Sequence, residues 1–314
     1  MNIVDFELRH VAEAVCLAEK QLNEERKVAP LPDVPMPDLS WLAESHLSVA
    51  AEVNGRLVGF LGAWGPFEGM FGTSGMVEAK QFVGVFSPVH LHAVAADAPE
   101  RTWQRLYQAA AEKWAEAGAV YHAIALYEHD EKAKHTLFRY GFGQRCADAI
   151  CPAVPLGAAE VPGITVCELP RGSAEAVREL RIGLDEHLTK SPTFMLRNTE
   201  VRQKWLEEVK NRDSQLFAAL DGETAVAFIE VCDEGENFLT THPGMANICG
   251  AYCLETYRGK GVSQMLLDYI LNTLQAEGVA WLGVDYETMN PTAAGFWEKY
   301  FQPYTASLVR RIDR

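Results

Sequence analysis

The sequence predicts an α+β fold used twice in tandem, each copy a mixed central sheet flanked by helices. Three observations carry that expectation. The chain repeats itself: Gly118, Tyr121, Ala133 and Tyr140 match Gly278, Trp281, Ala293 and Tyr300 at a constant offset of 160 residues. Upstream, NGRLVGFLGAW from Asn54 resembles DGETAVAFIEV from Asp221 at an offset of 167, so the first half carries about seven extra residues, and the glycine-rich Glu68–Met76 is where they fit. Third, 314 residues suffice for two domains, and the stretch 151–163 holds three prolines, two glycines and no periodicity.

The elements follow in the same order in each half. A short strand (Ile3–Leu8; Ile164–Leu169) leads into an amphipathic helix (His10–Glu24; Ala174–Leu188). A loop and a second helical segment come next. Two strands are then joined at Asn54-Gly55 or Asp221-Gly222, pairs that suit positive φ in a hairpin turn. A longer strand (Phe82–Val94; Ala246–Leu254) precedes a long helix (Arg101–Glu116; Ser263–Glu277) closed by Gly118 or Gly278 near its C-cap. A buried strand, a shorter helix and a last strand finish each unit. The expected division is residues 1–150, a linker at 151–162, and 163–314.

Composition narrows the function. The chain is 48% hydrophobic and 23% charged, as ordinary globular proteins are. Its net charge of −15 argues against nucleic acid, whose phosphates need a cationic face. The same acidity is compatible with a cationic small substrate, or with solubility alone. No apolar run reaches the length of a membrane span, and the acidic N-terminal stretch does not suit a signal peptide, so no membrane partner and a cytoplasmic location are expected. Seven scattered cysteines without a CxxC pair suggest free thiols in a reducing compartment. No metal is expected.

The chemistry concentrates at Arg258-Gly259-Lys260-Gly261-Val262-Ser263, where a strand gives way to a helix. Glycines let successive N–H groups turn into one concavity, and the helix start adds unpaired N–H groups and a positive dipole end. This is an anion site suited to a pyrophosphate. It is neither a Walker loop nor a complete GxGxxG fingerprint.

The stretch resembles the acyl-CoA loop of the GCN5-related N-acetyltransferases, which carry R/Q-x-x-G-x-G/A between their fourth strand and third helix. Serine at 263 departs from the usual glycine or alanine. The order of surrounding elements resembles the family over residues 163–314. The resemblance implies acetyl-CoA as co-substrate. Main-chain groups of Tyr252 and Cys253 would pair with the pantetheine arm, N–H groups from Arg258 through Gly259, Lys260, Gly261, Val262 and Ser263 would hold the pyrophosphate, and Asn290 would contact the arm. Asn290 before Pro291 is equally a plain helix N-cap. The implied reaction is direct attack of a primary amine on the thioester in a ternary complex, with an oxyanion donor near Cys253. In many family members a tyrosine on the last helix protonates the leaving thiolate; that position here is Trp297. Tyr300, Tyr252 and Tyr286 are alternatives. The strand Ala246–Leu254 holds no acid, so the base is sought at Asp285 and Glu230, carboxylates in otherwise apolar strands, with water as a further route.

In the first half the same register is Ala98-Pro99-Glu100-Arg101-Thr102-Trp103. Proline removes an N–H, glutamate repels phosphate and tryptophan fills the anion's space, so this copy is expected to be degenerate and without CoA. His90 and His92, placed on one face of a strand, would suit a metal pair, but with no third ligand nearby they read as structural. The loops KVAPLPDVPMPDLSW and TKSPTFMLRNTE suit a substrate wall or a dimer contact, and monomer and homodimer stay open. The leading function is an acyl-CoA-dependent N-acyltransferase, active in its second half, acting on a small-molecule amine. The rivals are a catalytically impaired acyl-CoA-binding protein and a non-catalytic scaffold.

Overall fold

The computed structural model describes residues 1–74, 76–196, 205 and 214–313. They form two compact units: Met1–Ala147 with Pro303–Arg314, and Asp148–Gln302.

In the first unit β1 (Asn2–Asp5) leads to α1 (Val11–Glu25), and β2 (Val49–Val53) pairs with β3 (Arg56–Leu61). Asn54 and Gly55 both take positive φ, 52° and 77°, the geometry a two-residue hairpin turn requires. β4 (Trp64–Phe67), β5 (Gly84–Ser87), β6 (His92–Val94), α2 (Thr102–Glu116), β7 (Tyr121–Tyr127), α3 (Glu131–Arg139) and β8 (Gly143–Pro152) follow. β1, β2, β3 and β6 make an antiparallel sheet, while β5 runs parallel to β7. The continuous strand expected over Phe82–Val94 is therefore two strands. Pro88 cannot donate to a ladder, and its carbonyl instead accepts the Leu91 N–H at 2.9 Å in a turn. α1 buries Ala14, Leu17 and Ala18 against Phe60, Leu91 and Ala93. α2 buries Trp103, Leu106, Tyr107, Ala110 and Trp114 in a second core.

The second unit starts with β9 (Ile164–Glu168) and a 3-10 turn that runs into α4 (Arg178–Leu188). Of the expected second helical segment only Trp205 is described; residues 197–204 and 206–213, including the end of the TKSPTFMLRNTE loop, lie outside the described residues. β10 (Gln215–Asp221), β11 (Thr224–Cys232), β12 (Met245–Cys253), α5 (Val262–Ala276), β13 (Trp281–Glu287) and α6 (Pro291–Trp297) complete it. The sheet order is β9-β10-β11-β12-β13, antiparallel up to β12, which runs parallel to β13. α5 buries Val262, Leu266, Leu267, Ile270, Leu271 and Leu274, spaced to share one helical face. Leu267 is fully buried, so its truncation to alanine carries a cost of about 2–5 kcal/mol. Leu180, Val177, Trp205 and Phe228 pack together in a separate cluster under α4.

The division differs from the expected one at both ends. β14 (Thr305–Arg311) belongs to the first unit, because all seven of its residues pair antiparallel with β7. The expected linker starts inside β8, and the segment after it lies along α5. There the N–H groups of Leu156 and Gly157 donate to Asp268 Oδ1, and Val161 N–H reaches Met265 Sδ at 3.5 Å.

Candidate active site

The site of the second unit begins where two parallel strands part. β12 and β13 pair from Met245/Trp281 to Ile248/Val284 and no further. At that level β12 also slips its register against β11: Glu230 faces Gly250 and Val231 faces Ile248, leaving Cys249 as the extra residue of a bulge. Beyond the bulge β12 follows β11 alone, and its other edge is open.

Antiparallel alternation decides which groups that edge presents. Leu254 N–H donates to Val226 O at 3.0 Å, so Leu254/Val226 is a hydrogen-bonded pair. Two residues back, Tyr252/Phe228 is of the same kind, and the main chain of Tyr252 faces β11. Ala251 and Cys253 turn theirs to the open edge. Of the two residues expected to offer main-chain groups there, Cys253 turns its own to this edge and Tyr252 does not, while Ala251 does. The side chain of Tyr252 lies under α4; a Cβ at Gly183 would meet its Cε1 at 2.8 Å, so only glycine permits this approach.

The edge leads to the loop. Gly259 and Gly261 have φ of +73° and +86°, conformations that cost an L side chain about 1–2 kcal/mol. Gly261 is the N-cap of α5, no side chain caps it, and its carbonyl accepts Met265 N–H at 2.9 Å. The N–H groups of Val262, Ser263 and Gln264 thus have no carbonyl one turn back and point out of the helix start. Arg258 turns inward: its Nε donates to Cys253 O at 3.0 Å, and its guanidinium stands 5.3 Å over the Tyr252 ring. Lys260 lies 5.7 Å over the Tyr257 ring.

All of these residues but Lys260 and Met265 line one cleft of about 490 Å³, together with Asn290, Trp297, Lys299, Tyr300 and His187. Asn290 is 6% exposed, and its Oδ1 accepts the N–H groups of Thr292 and Ala293, so it both caps α6 and faces the cleft. Burial pushes the Cys253 thiol up, against opposing effects of Ser263 and Arg258, which makes it a poor nucleophile at neutral pH. Trp297 is buried in the cleft wall and has no proton to give a thiolate.

The expected carboxylates stand elsewhere. Among the described residues, no aspartate or glutamate lines the cleft. Glu230 is 1% exposed, and its Oε2 accepts Trp205 Nε1 at 2.8 Å. Asp285 is the first residue of β13 beyond its pairing with β12. It faces away from Tyr286, whose hydroxyl donates to Glu298 Oε1 at 3.1 Å and is thereby occupied. Desolvation, then the carboxylates of Glu236 and Asp148, push the Asp285 carboxyl up to about 8. The residue as a whole is exposed, so solvent screens part of that push. Sequence reasoning missed His187 of α4, whose Nε2 lies 3.1 Å from Thr292 Oγ1 and 3.3 Å from Asn290 Oδ1.

Residues 183–301 match the family model described as the acetyltransferase (GNAT) family. No curated protein matches the sequence. Among solved structures, the chain is similar to a GCN5-related N-acetyltransferase from Sphaerobacter thermophilus, 12% identical over 100% of this chain and 96% of that one, TM-score 0.60. It is also similar to a GCN5-related glucosamine N-acetyltransferase region of a fungal multi-domain GH3 β-N-acetylglucosaminidase, 12% identical over 98% of this chain and 38% of that one, TM-score 0.51. A tandem GNAT protein from the clavulanic acid biosynthesis pathway covers 100% of this chain and 99% of its own at 13% identity, TM-score 0.47. The first two likenesses show the fold.

The first unit has the elements of the GNAT domain without its opening. β6 follows β3 while β5 follows β7, as the two halves of β12 follow β11 and β13. Across this gap His92 donates from Nε2 to Ala125 O at 2.7 Å, and the ring packs on Trp103, 2% exposed. His90 lies in the turn before β6, so the two histidines do not share a strand face, and no group of three or more metal-ligating side chains occurs among the described residues. Burial pushes both imidazoles down, His90 to about 4.

Proposed function

We propose that the second unit transfers an acetyl group from acetyl-CoA to a primary amine by direct attack in a ternary complex. The observation that carries this reading is the open edge of β12, whose Ala251 and Cys253 main-chain groups lead without a break to the uncapped N–H groups of α5. A peptide-like arm pairs with the edge while its diphosphate sits on the helix start. Asn290 reaches the arm from the opposite wall. The first unit is proposed to bind no coenzyme, since Trp103 and His92 occupy the corresponding space.

The chain's residues then divide the proton work. Asp285 stands outside the cleft lining, so the acceptor ammonium gives one proton to it through water, and its raised carboxyl suits that exchange near neutral pH. The neutral nitrogen attacks the thioester carbonyl, and the Ala251 N–H stabilises the oxyanion. Nitrogen loses its second proton as the C–S bond breaks. Tyr300, which lines the cleft, protonates the sulfur and recovers that proton. Tyr252 and Glu230 position rather than react: the one carries Arg258, the other is held by Trp205. Asp148, Glu236 and Asp285 favour a cationic acceptor. Among the described residues no helix is long and apolar enough to cross a membrane, and a cytoplasmic location is proposed.

Trp297 at the family's acid position favours a second reading, a coenzyme-binding protein without turnover. Calorimetry with acetyl-CoA followed by thiol release over a panel of amines decides. Binding with turnover supports the enzyme, binding without turnover on any amine supports the binder, and no binding removes both.

A further inference from the structure

We propose that the hydrogen bonds from His187 to Asn290 and Thr292 are a clasp across the coenzyme cleft, and that the clasp opens before acetyl-CoA enters. The inference rests on the coenzyme reading of that cleft. His187, Asn290 and Thr292 all line it, so their bonds join α4 to the start of α6 at the cleft, and on that reading Asn290 is a group the arm needs.

The polarity of the clasp follows from its neighbours. Asn290 Oδ1 accepts the Thr292 and Ala293 N–H groups, which fixes the amide's orientation. Thr292 Oγ1 donates its own proton to the same oxygen at 2.7 Å. Both contacts of His187 Nε2 therefore require that nitrogen to donate. Asn290 is thus crowded with donors in the free protein, and an incoming arm competes with the histidine for this wall.

The first unit ties the same two elements together in a stronger form. Glu25, the last residue of α1, accepts both Nδ1 (2.6 Å) and the main-chain N–H (3.0 Å) of His129, just before the Asp130 N-cap of α3. Gln21 of α1 meets the other ring nitrogen at 3.1 Å. Glu25 is 0% exposed, so breaking this tie strands a buried carboxylate, which is costly. The second unit instead has longer contacts of 3.1 and 3.3 Å, made by the half-buried His187 to the exposed Thr292 and to Asn290, with no carboxylate in them. Such bonds open readily in water. One position in the repeat is thus a lock in the first unit and a clasp in the second.

A clasp that closes only the free protein lowers the competent fraction and so weakens apparent affinity by that fraction. Stopped-flow binding of coenzyme A, read by intrinsic tryptophan fluorescence to which Trp297 in the cleft wall contributes, tests this. In His187→Ala the association rate and the affinity rise together by about two- to tenfold, the range of one or two hydrogen bonds, and the dissociation rate stays fixed. Thr292→Val gives a smaller change of the same sign. Unchanged association in both variants overturns the clasp. A faster dissociation in His187→Ala also overturns it, because His187 is then a coenzyme ligand. A wild-type protein that binds no coenzyme A overturns the coenzyme reading itself.

Discussion

Gly261→Glu perturbs the loop in two separable ways. The backbone there has φ of +86°, so any L side chain adds about 1–2 kcal/mol of strain. A Cβ would lie 3.4 Å from Val161 Cγ2, an ordinary contact, so crowding adds little. The strain falls on folding and lowers Tm by roughly 2–4 °C per kcal/mol for a unit of this size. The carboxylate falls on binding. At about 4 Å from a phosphate it costs about 1 kcal/mol in water and about 4 kcal/mol at the effective dielectric of a protein surface. Two phosphates raise the sum to at least about 2 kcal/mol, a loss of about 30-fold or more in affinity. Gly261→Ala carries the strain without the charge. Calorimetry with acetyl-CoA should therefore find Gly261→Glu at least about 30-fold weaker, Gly261→Ala much closer to wild type, and similar Tm losses in both. Glu100→Ala in the first unit should leave the affinity unchanged. Gly261→Glu binding within about threefold of wild type would refute the reasoning, since no phosphate could then lie near that carboxylate.

Three further outcomes follow from the same geometry. Asp285→Asn should lower kcat by about 10²–10⁴-fold with coenzyme affinity retained. A carboxyl raised to about 8 binds its proton more tightly folded than unfolded, so its contribution to stability falls as pH rises from about 4 through 8, and the asparagine variant should gain relative to wild type at pH 8. Tyr300→Phe should slow thiol release by about 10²-fold or more while leaving the acetyl-CoA dissociation constant within a small factor; unaltered turnover would remove the phenol from the reaction. His90, pushed down to about 4 by burial, binds protons better unfolded, so wild-type stability should be lost as pH falls from about 6.5 to 4; His90→Gln should flatten that acid limb in a thermal melt, and an unaltered limb would place the titration elsewhere.

Much of the fold was written locally. Asn54-Gly55 and Asp221-Gly222 marked hairpins that form, and the apolar spacing from Val262 to Leu274 marked α5 to within a residue or so. The loop from Arg258 to Ser263 was legible because glycine spacing before an apolar helix is a local signal. The break of Phe82–Val94 was also local; Pro88 marks it, and the apolar run around it outweighed the mark. What stayed hidden depends on pairing. Whether Ala251 or Tyr252 turns its main chain to the free edge depends on which residues of β12 and β11 form hydrogen-bonded pairs, and no one-strand pattern states that. His187 meets Asn290 across 103 residues of sequence, and in isolation it is one histidine in an amphipathic helix. The assignment of β14 to the first unit likewise rests on a ladder with β7, not on its own residues.

A crystal structure with coenzyme A bound is the most direct test of the central claim. The account places the diphosphate on the N–H groups of Val262, Ser263 and Gln264, with the arm paired to Ala251 and Cys253 and the first unit empty. A diphosphate seated away from the start of α5, or an arm held by the first unit beside His92, would contradict it.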